Sequence, residues 1–291
     1  MESLIKVASI VAFLFFSNES LSQAQPCPTT AAYGENSDAG RRAMVNGISL
    51  YYETYGTGSP LLVIHGNGGS IRSMRCQIAH FSRSHRVIAA DSRAHGKSED
   101  GTARLTYELM AEDLAKLLMH ENIDATDIIG HSDGGIIALL LAINHPTRVK
   151  SLVVSGPNLR SDKSAMFAWN FDMYARDVKE AKAMLAKGDR SKNWERVKRW
   201  NELMIEEPNI HARELRRIKS PTLILGSDDD AVRPEHFLEI YRNISQPHLG
   251  IIPGATHFIH REEYELYNLL ADRFLSKPFS RPTSKQVLEN R

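Results

Sequence analysis

Cysteine, net charge and long apolar runs are what this 291-residue sequence has least of, and each scarcity excludes something. Only two cysteines occur, Cys27 and Cys76. That is too few for a disulfide framework, so the fold must rest on a hydrophobic core. In an oxidising compartment the two could pair and tie the N-terminal tail to the domain. The plainer reading is two unpaired thiols, with Cys76 on a helix packed under a loop. Charge nearly cancels: 36 Lys and Arg face 35 Asp and Glu, a formal net charge of +1. Such a balance gives no electrostatic footprint for nucleic acid and favours a small-molecule substrate. The sequence has no H-E-x-x-H and no clustered ligand spacing, so neither a metal nor any other cofactor is expected. One largely apolar stretch, Val7 to Phe16, is ten residues. Crossing a bilayer takes about 20.

That stretch has the length of a signal-peptide core. Lys6 precedes it, Asn18-Glu19-Ser20 follows, and Ser22-Gln23-Ala24 supplies small residues where a signal peptidase reads. The pattern predicts cleavage after Ala24, a secreted or periplasmic protein, and no stable membrane anchor after cleavage. Cys27 is not preceded by a lipobox-like Leu-Ala-Gly, which argues against a lipid anchor. Removing residues 1–24 takes away Lys6, Glu2 and Glu19 and leaves the charge near neutral.

What is present is an ordinary enzyme composition, 42% hydrophobic and 24% charged, arranged as alternating strands and helices. Leu61 to Ile64 and Arg86 to Asp91 read as strands buried on both faces. Tyr107 to His120 carries Leu109, Met110, Leu114, Leu117 and Leu118 at helical steps. Strand patterns recur at Val149 to Ser155, Pro221 to Gly226 and His248 to Pro253, and an amphipathic helix follows to Leu275. The expected organisation is a signal peptide (1–24), a linker (25–43), an α/β core (44–157 and 219–278), a helical lid (158–218) and a polar tail (279–291). Alternation of this kind implies a mostly parallel sheet with helices on both faces.

One pentapeptide carries the chemistry. Gly130-His131-Ser132-Asp133-Gly134 is a G-x-S-x-G placed between an apolar strand (Asp127 to Ile129) and an apolar helix (Gly135 to Ala142). A serine on a strand-to-helix elbow is a candidate nucleophile. It needs a base, and a carboxylate to orient that base. His257, in the loop after the strand ending at Pro253, is the best-placed base. His260 is its rival but falls in the next helix, where it is expected to face solvent. The acid should follow the preceding strand, where Asp228, Asp229 and Asp230 stand in a row. His65-Gly66-Asn67-Gly68-Gly69 follows a buried strand and suits an oxyanion pocket built from the backbone amides of Asn67 and Asp133.

These segments together resemble the α/β-hydrolase superfamily from Val45 to Lys277. His65-Gly66-Asn67-Gly68 resembles its oxyanion loop, and Asp91 to Ser98 its D-x-R-G-x-G-x-S segment, with Ala94 and His95 as departures. Gly254-Ala255-Thr256-His257 resembles its G-x-x-H loop. Gly226-Ser227-Asp228-Asp229 resembles its G-x-x-D acid loop, and this resemblance selects Asp229 as the acid. The elbow is similar to the W-S-D-G-G-I of valacyclovir hydrolase-like enzymes, which cleave α-amino acid esters; His131 stands here where they carry Trp.

The resemblance implies a serine esterase with the triad Ser132, Asp229 and His257, acting on a small-molecule ester. Asp133 is a candidate partner for a substrate amine, and His131, Phe167 and Trp169 are candidate pocket residues. Phe171, Met173, Tyr174, Trp194 and Trp200 crowd the same insertion, and the basic run Lys192, Arg196, Lys198 and Arg199 reads as a solvated helix face. Two other readings remain: a carbon–carbon bond hydrolase or perhydrolase using the same triad, and a ligand-binding protein that uses the fold without turnover. Oligomeric state is left open.

Overall fold

The computed structural model describes Cys27, residues 31–280 and residues 282–289. The expected signal peptide lies outside the described residues. Among the described residues eight strands form one sheet: β1 (Gly40–Val45), β2 (Ile48–Tyr55), β3 (Ser59–Ile64), β4 (His85–Ala90), β5 (Thr126–His131), β6 (Val149–Ser155), β7 (Thr222–Asp229) and β8 (Pro247–Thr256). Their order is β1-β2-β4-β3-β5-β6-β7-β8. β1 and β2 are antiparallel to their neighbours, and all pairs from β4 to β8 are parallel.

Period-2 alternation sorts the strand side chains to two faces. Leu62, Ile64, Ile128, Leu152 and Val154 enter one core, where they meet α2 (Tyr107–His120), α3 (Asp133–Asn144) and α6 (Pro234–Asn243). Leu61, Val63, Ile129, Val153 and Leu225 enter the other. There they meet α1 (Arg75–Phe81), α7 (Ile259–Glu262) and α8 (Tyr264–Ser276). Both faces are therefore dry, as the unbroken apolar runs required. This is an α/β-hydrolase fold.

Between β6 and β7 the chain leaves the sheet to form α4 (Ala168–Ala186) and α5 (Trp194–Glu206), packed against each other. Of the basic run, Lys192 is exposed as expected, but Arg196 and Arg199 do not face solvent. Arg196 binds Asp100 (2.7 Å) and the carbonyls of Gly96 (2.9 Å) and Ser98 (2.7 Å), and Arg199 reaches the Ala103 carbonyl (3.1 Å). These contacts fasten the insertion to the loop after β4.

The expected linker and tail also change. Tyr33 is buried in the second core and β1 starts at Gly40, so folded chain begins inside residues 25–43. A short helix, α9 (Ser284–Glu289), forms in the expected tail. Cys27 and Cys76 are unpaired, and burial with the Cys27 thiol alongside pushes Cys76 up to about 12. Among the described residues no helix is long and apolar enough to cross a membrane.

Candidate active site

β5 ends at His131, and the chain turns into α3 within one residue. Ser132 takes φ 54° and ψ −121°, a left-handed conformation that costs an L-residue on the order of 1–3 kcal/mol. Hydrogen bonds on both sides hold it there. Its amide donates to the Ser155 carbonyl (2.7 Å), and its carbonyl accepts from Gly135 (2.8 Å) and Ile136 (3.1 Å). The elbow is tight enough to forbid side chains around it. A Cβ on Gly134 would sit 2.3 Å from the Ile64 carbonyl oxygen.

The Ser132 hydroxyl points at His257, which follows β8. Ser132 Oγ lies 2.9 Å from His257 Nε2. On the other side of the ring, Nδ1 lies 2.6 Å from Asp230 Oδ1. The carboxylate that meets His257 is thus that of Asp230 and not that of Asp229. β7 continues past Gly226 to Asp229, which pairs with Thr256 of β8 beyond a register shift. Asp228 and Asp229 are held on an exposed strand end, and Asp228 accepts the Gly254 amide (2.9 Å). Asp230 is the first residue to leave the strand, and it is buried, 2% exposed. It also accepts from the Val232 amide (3.1 Å) and from the Ser227 hydroxyl (3.1 Å) and amide (3.3 Å). Burial alone would raise its carboxyl, but His257 and these donors outweigh burial and hold it below the usual carboxylate range.

Gly156, at the end of β6, leaves room for the base. Its φ is 62°, and a Cβ there would lie 2.7 Å from His257 Cε1. Gly156→Ala is expected to displace the imidazole and lower kcat/KM about 100-fold. The accompanying stability loss should be about 1 kcal/mol, read as a small fall in Tm.

The loop after β3 supplies the remaining polar groups. A Cβ on Gly66 would be 3.0 Å from Ser132 Cβ, so the loop backbone lies directly on the nucleophile. His65 anchors this loop, its Nε2 accepting the Ser92 amide (3.0 Å). The Asn67 side chain donates to the Trp200 carbonyl of α5 (3.1 Å). The Asn67 amide donates to no acceptor among the described residues, and the Asp133 amide lies beside its own carboxylate. The Asp133 amide is one of the N–H groups at the α3 N-terminus that no helical carbonyl reaches, where the helix dipole also favours negative charge. The departure at Ala94 is accommodated by strain: it keeps the left-handed φ (62°) that glycine adopts freely, and its carbonyl accepts the Trp200 indole N–H (3.0 Å).

A cavity of about 510 Å³ opens over these groups. Asn67, His131, Ser132, Asp133, Trp169 and His257 all line it. Phe167 does not: its amide bonds the Ala231 carbonyl (3.3 Å) and its ring stacks under Arg233, outside the cavity. Tyr174, Met173 and Trp200 line the cavity, whereas Phe171 packs behind them and Trp194 is buried with its indole N–H on Asp189 (2.6 Å).

His260 does not face solvent. It is 2% exposed and its ring lies 3.8 Å from that of His131. The helix expected to carry it outward is a single turn packed on α1, where Gln77 Nε2 binds the His260 carbonyl (2.7 Å). Asp133 is 6% exposed, and its Oδ2 has no hydrogen-bond partner at good geometry among the described residues. Burial pushes its carboxyl up to about 7, against the opposing pull of Tyr107, His257 and Asn67. Glu207, also raised by burial, accepts the Tyr107 amide (3.1 Å) and shares this acidic wall.

Residues 59–186 match the alpha/beta hydrolase fold family. A 2-hydroxy-6-oxo-2,4-heptadienoate hydrolase of Pseudomonas putida is 25% identical over 270 residues, 83% of this chain and 98% of that protein. The sn-1-specific diacylglycerol lipase ABHD11 of Danio rerio is 28% identical over 256 residues, 74% of this chain and 79% of that protein. Other relatives reach 35–47% identity, but there the match spans only 32–44% of the relative's own length. MGS-M2, an alpha/beta hydrolase enzyme from a Medee basin deep-sea metagenome library, superposes with a TM-score of 0.74 at 21% identity, covering 84% of this chain and all of that one. The fold is that of the α/β-hydrolases, and the chain is similar to hydrolases that share it.

Proposed function

We propose that the protein is a serine hydrolase of small carboxylic esters, with Ser132, His257 and Asp230 as its triad. The observation that carries the reading is the continuous path from Asp230 through both ring nitrogens of His257 to the Ser132 hydroxyl, at 2.6 and 2.9 Å. His257 Nε2 takes the serine proton as Oγ attacks the ester carbonyl. The tetrahedral oxyanion then sits between the Asn67 and Asp133 amides, each worth about 3 kcal/mol of barrier. His257 returns the proton to the departing alkoxide. A water activated by the same nitrogen frees the carboxylic acid and restores Ser132.

The acidic wall favours a substrate with a cationic group, such as an aminoacyl ester. An ammonium beside Asp133 would pair with a carboxylate that otherwise has one unpartnered buried oxygen. For an aminoacyl ester and its des-amino analogue, the kcat/KM ratio is expected to exceed about tenfold, roughly 1.4 kcal/mol. Asp133→Asn, which keeps the backbone amide, should bring the ratio close to one. Equal values in the wild type would remove the amine from the reading. The wild-type ratio should also climb with pH through about 7 as Asp133 ionises.

Asp133 has a stability consequence of opposite sign. A carboxyl whose folded pKa is raised contributes stability at low pH and loses it as pH rises through the folded value. Asp133→Asn should therefore raise Tm by about 3–8 °C at about pH 8 and by less at about pH 5. A thermal scan at both pH values checks this.

The same triad also serves carbon–carbon bond hydrolysis, and the Pseudomonas putida relative's name gives a dienoate as its substrate. That substrate is an anion. The carboxylates of Asp133 and Glu207 on one wall oppose it and favour the ester reading. An export address, predicted from residues 1–24, is proposed on the sequence alone and is checked by N-terminal sequencing of the protein expressed at full length in its source.

A further inference from the structure

Trp200 of α5 is seated on the loop after β4. Its indole N–H donates to the Ala94 carbonyl (3.0 Å), and its ring stacks on that of His95, with centroids 4.8 Å apart and planes 19° apart. His95 is itself fixed. Burial pushes its imidazole down to about 3, so the ring is neutral. The proton stays on Nδ1, where the Arg93 carbonyl accepts it at 2.9 Å. On its other side the ring packs against His65, 5.2 Å away. Ala94 and His95 are the two positions at which the chain departs from the D-x-R-G-x-G-x-S pattern, and together they build the seat for Trp200. Arg196, one turn earlier on α5, ties the helix to the Gly96 and Ser98 carbonyls of the same loop.

From that seat Trp200 reaches the oxyanion loop twice. Its backbone carbonyl accepts from Asn67 Nδ2 (3.1 Å). Its ring covers Gly68, 3.9 Å from where a Cβ would stand. Asn67 and Gly68 are the central residues of a turn closed by the Gly69 amide on the Gly66 carbonyl (3.1 Å), and Gly68 takes φ 62°. They lie outside any strand or helix, and central torsions are the ones that change when a turn switches type. The Asn67 amide, which donates to no acceptor among the described residues, swings with them. An oxyanion donor lowers the barrier most when it is aimed before the charge develops.

We infer that Trp200 is a positioning residue: it clamps Asn67 and Gly68 against the loop after β4 and so holds the Asn67 backbone amide on the developing oxyanion. The α5 half of the insertion is then a fixed part of the catalytic apparatus and not a swinging cover. This rests on the serine-hydrolase reading, in which that amide meets the oxyanion, and adds the residue that aims it.

Two variants grade the clamp. Trp200→Phe keeps an aromatic ring and loses the indole N–H; Trp200→Leu loses the stack on His95 as well. With p-nitrophenyl acetate, kcat is expected to fall about fivefold in the first and about 50-fold in the second, less than deletion of an oxyanion donor costs, while KM stays within about twofold. Phenylboronic acid forms a tetrahedral adduct on Ser132, so its Ki should rise by the factor by which kcat/KM falls. A roof that only loosens would raise KM instead. Asn67→Ala removes the side chain through which Trp200 acts, so adding Trp200→Leu to it should lower kcat by no more than about threefold. Circular dichroism shows which variants are folded, and Trp200→Phe, the milder change, carries the test if Trp200→Leu is not. An unchanged kcat in the folded Trp200 variants, an effect confined to KM, or full additivity with Asn67→Ala overturns the clamp and leaves the triad standing. A wild type that neither hydrolyses p-nitrophenyl acetate nor binds phenylboronic acid overturns the serine-hydrolase reading, and the clamp with it.

Discussion

Asp230→Asn is expected to lower kcat about 10⁴-fold, while Asp229→Asn changes it less than about threefold. The contrast is large because the two neighbours are in different environments. Asp230 is buried and accepts from His257 Nδ1 at 2.6 Å, whereas Asp229 is an exposed end-of-strand residue. An amide at position 230 can present its NH₂ to Nδ1 and so favour the wrong imidazole tautomer, with the proton on Nε2, where it blocks the serine proton. The Ser227 and Val232 donors would also lose their carboxylate acceptor. Steady-state kinetics on an activated ester, with circular dichroism to show that both variants fold, separates the two residues. Equal losses at 229 and 230 would mean that the loop rearranges in the working enzyme.

Ser132→Ala is expected to lower kcat by at least about four orders of magnitude, with Tm unchanged or higher. The activity falls because, among the described residues, only the Ser132 hydroxyl bonds His257 Nε2. The stability expectation comes from the polar pocket that the elbow opens at a cost. Removing one hydroxyl from a strained turn loses no core packing, since the turn is held by the backbone bonds of Ser155, Gly135 and Ile136. A variant that kept even one hundredth of the wild-type rate would require a different nucleophile.

Much of this site was legible before any coordinates. Ser132 and His257 were accessible because each sits where an apolar strand run gives way to glycine, and that change of pattern marks the carboxyl edge of a parallel sheet. Asn67, placed by the same reasoning, lines the cavity. The acid was not, because the register of Asp228, Asp229 and Asp230 depends on how far β7 runs and on the shift between Ser227 and Asp229 in its ladder with β8. Neither is written in three identical side chains. His260 was misplaced because a four-residue helix has too few turns to show periodicity, and its burial comes from contacts with α1, distant in sequence. Phe167 looked like a pocket aromatic by composition, but a backbone bond to Ala231 turns it out of the cavity. Arg196 looked solvated because its partner Asp100 lies 96 residues away. In each case the missing information was tertiary, and periodicity carries none of it.

The central claim, that Ser132 is an activated nucleophile, is tested most directly by intact-mass and peptide mapping after treatment with a fluorophosphonate. The account predicts one adduct per chain, located on Ser132, absent from Ser132→Ala and formed far more slowly in Asp230→Asn. An unlabelled wild type, or an adduct that persists in Ser132→Ala, would contradict it.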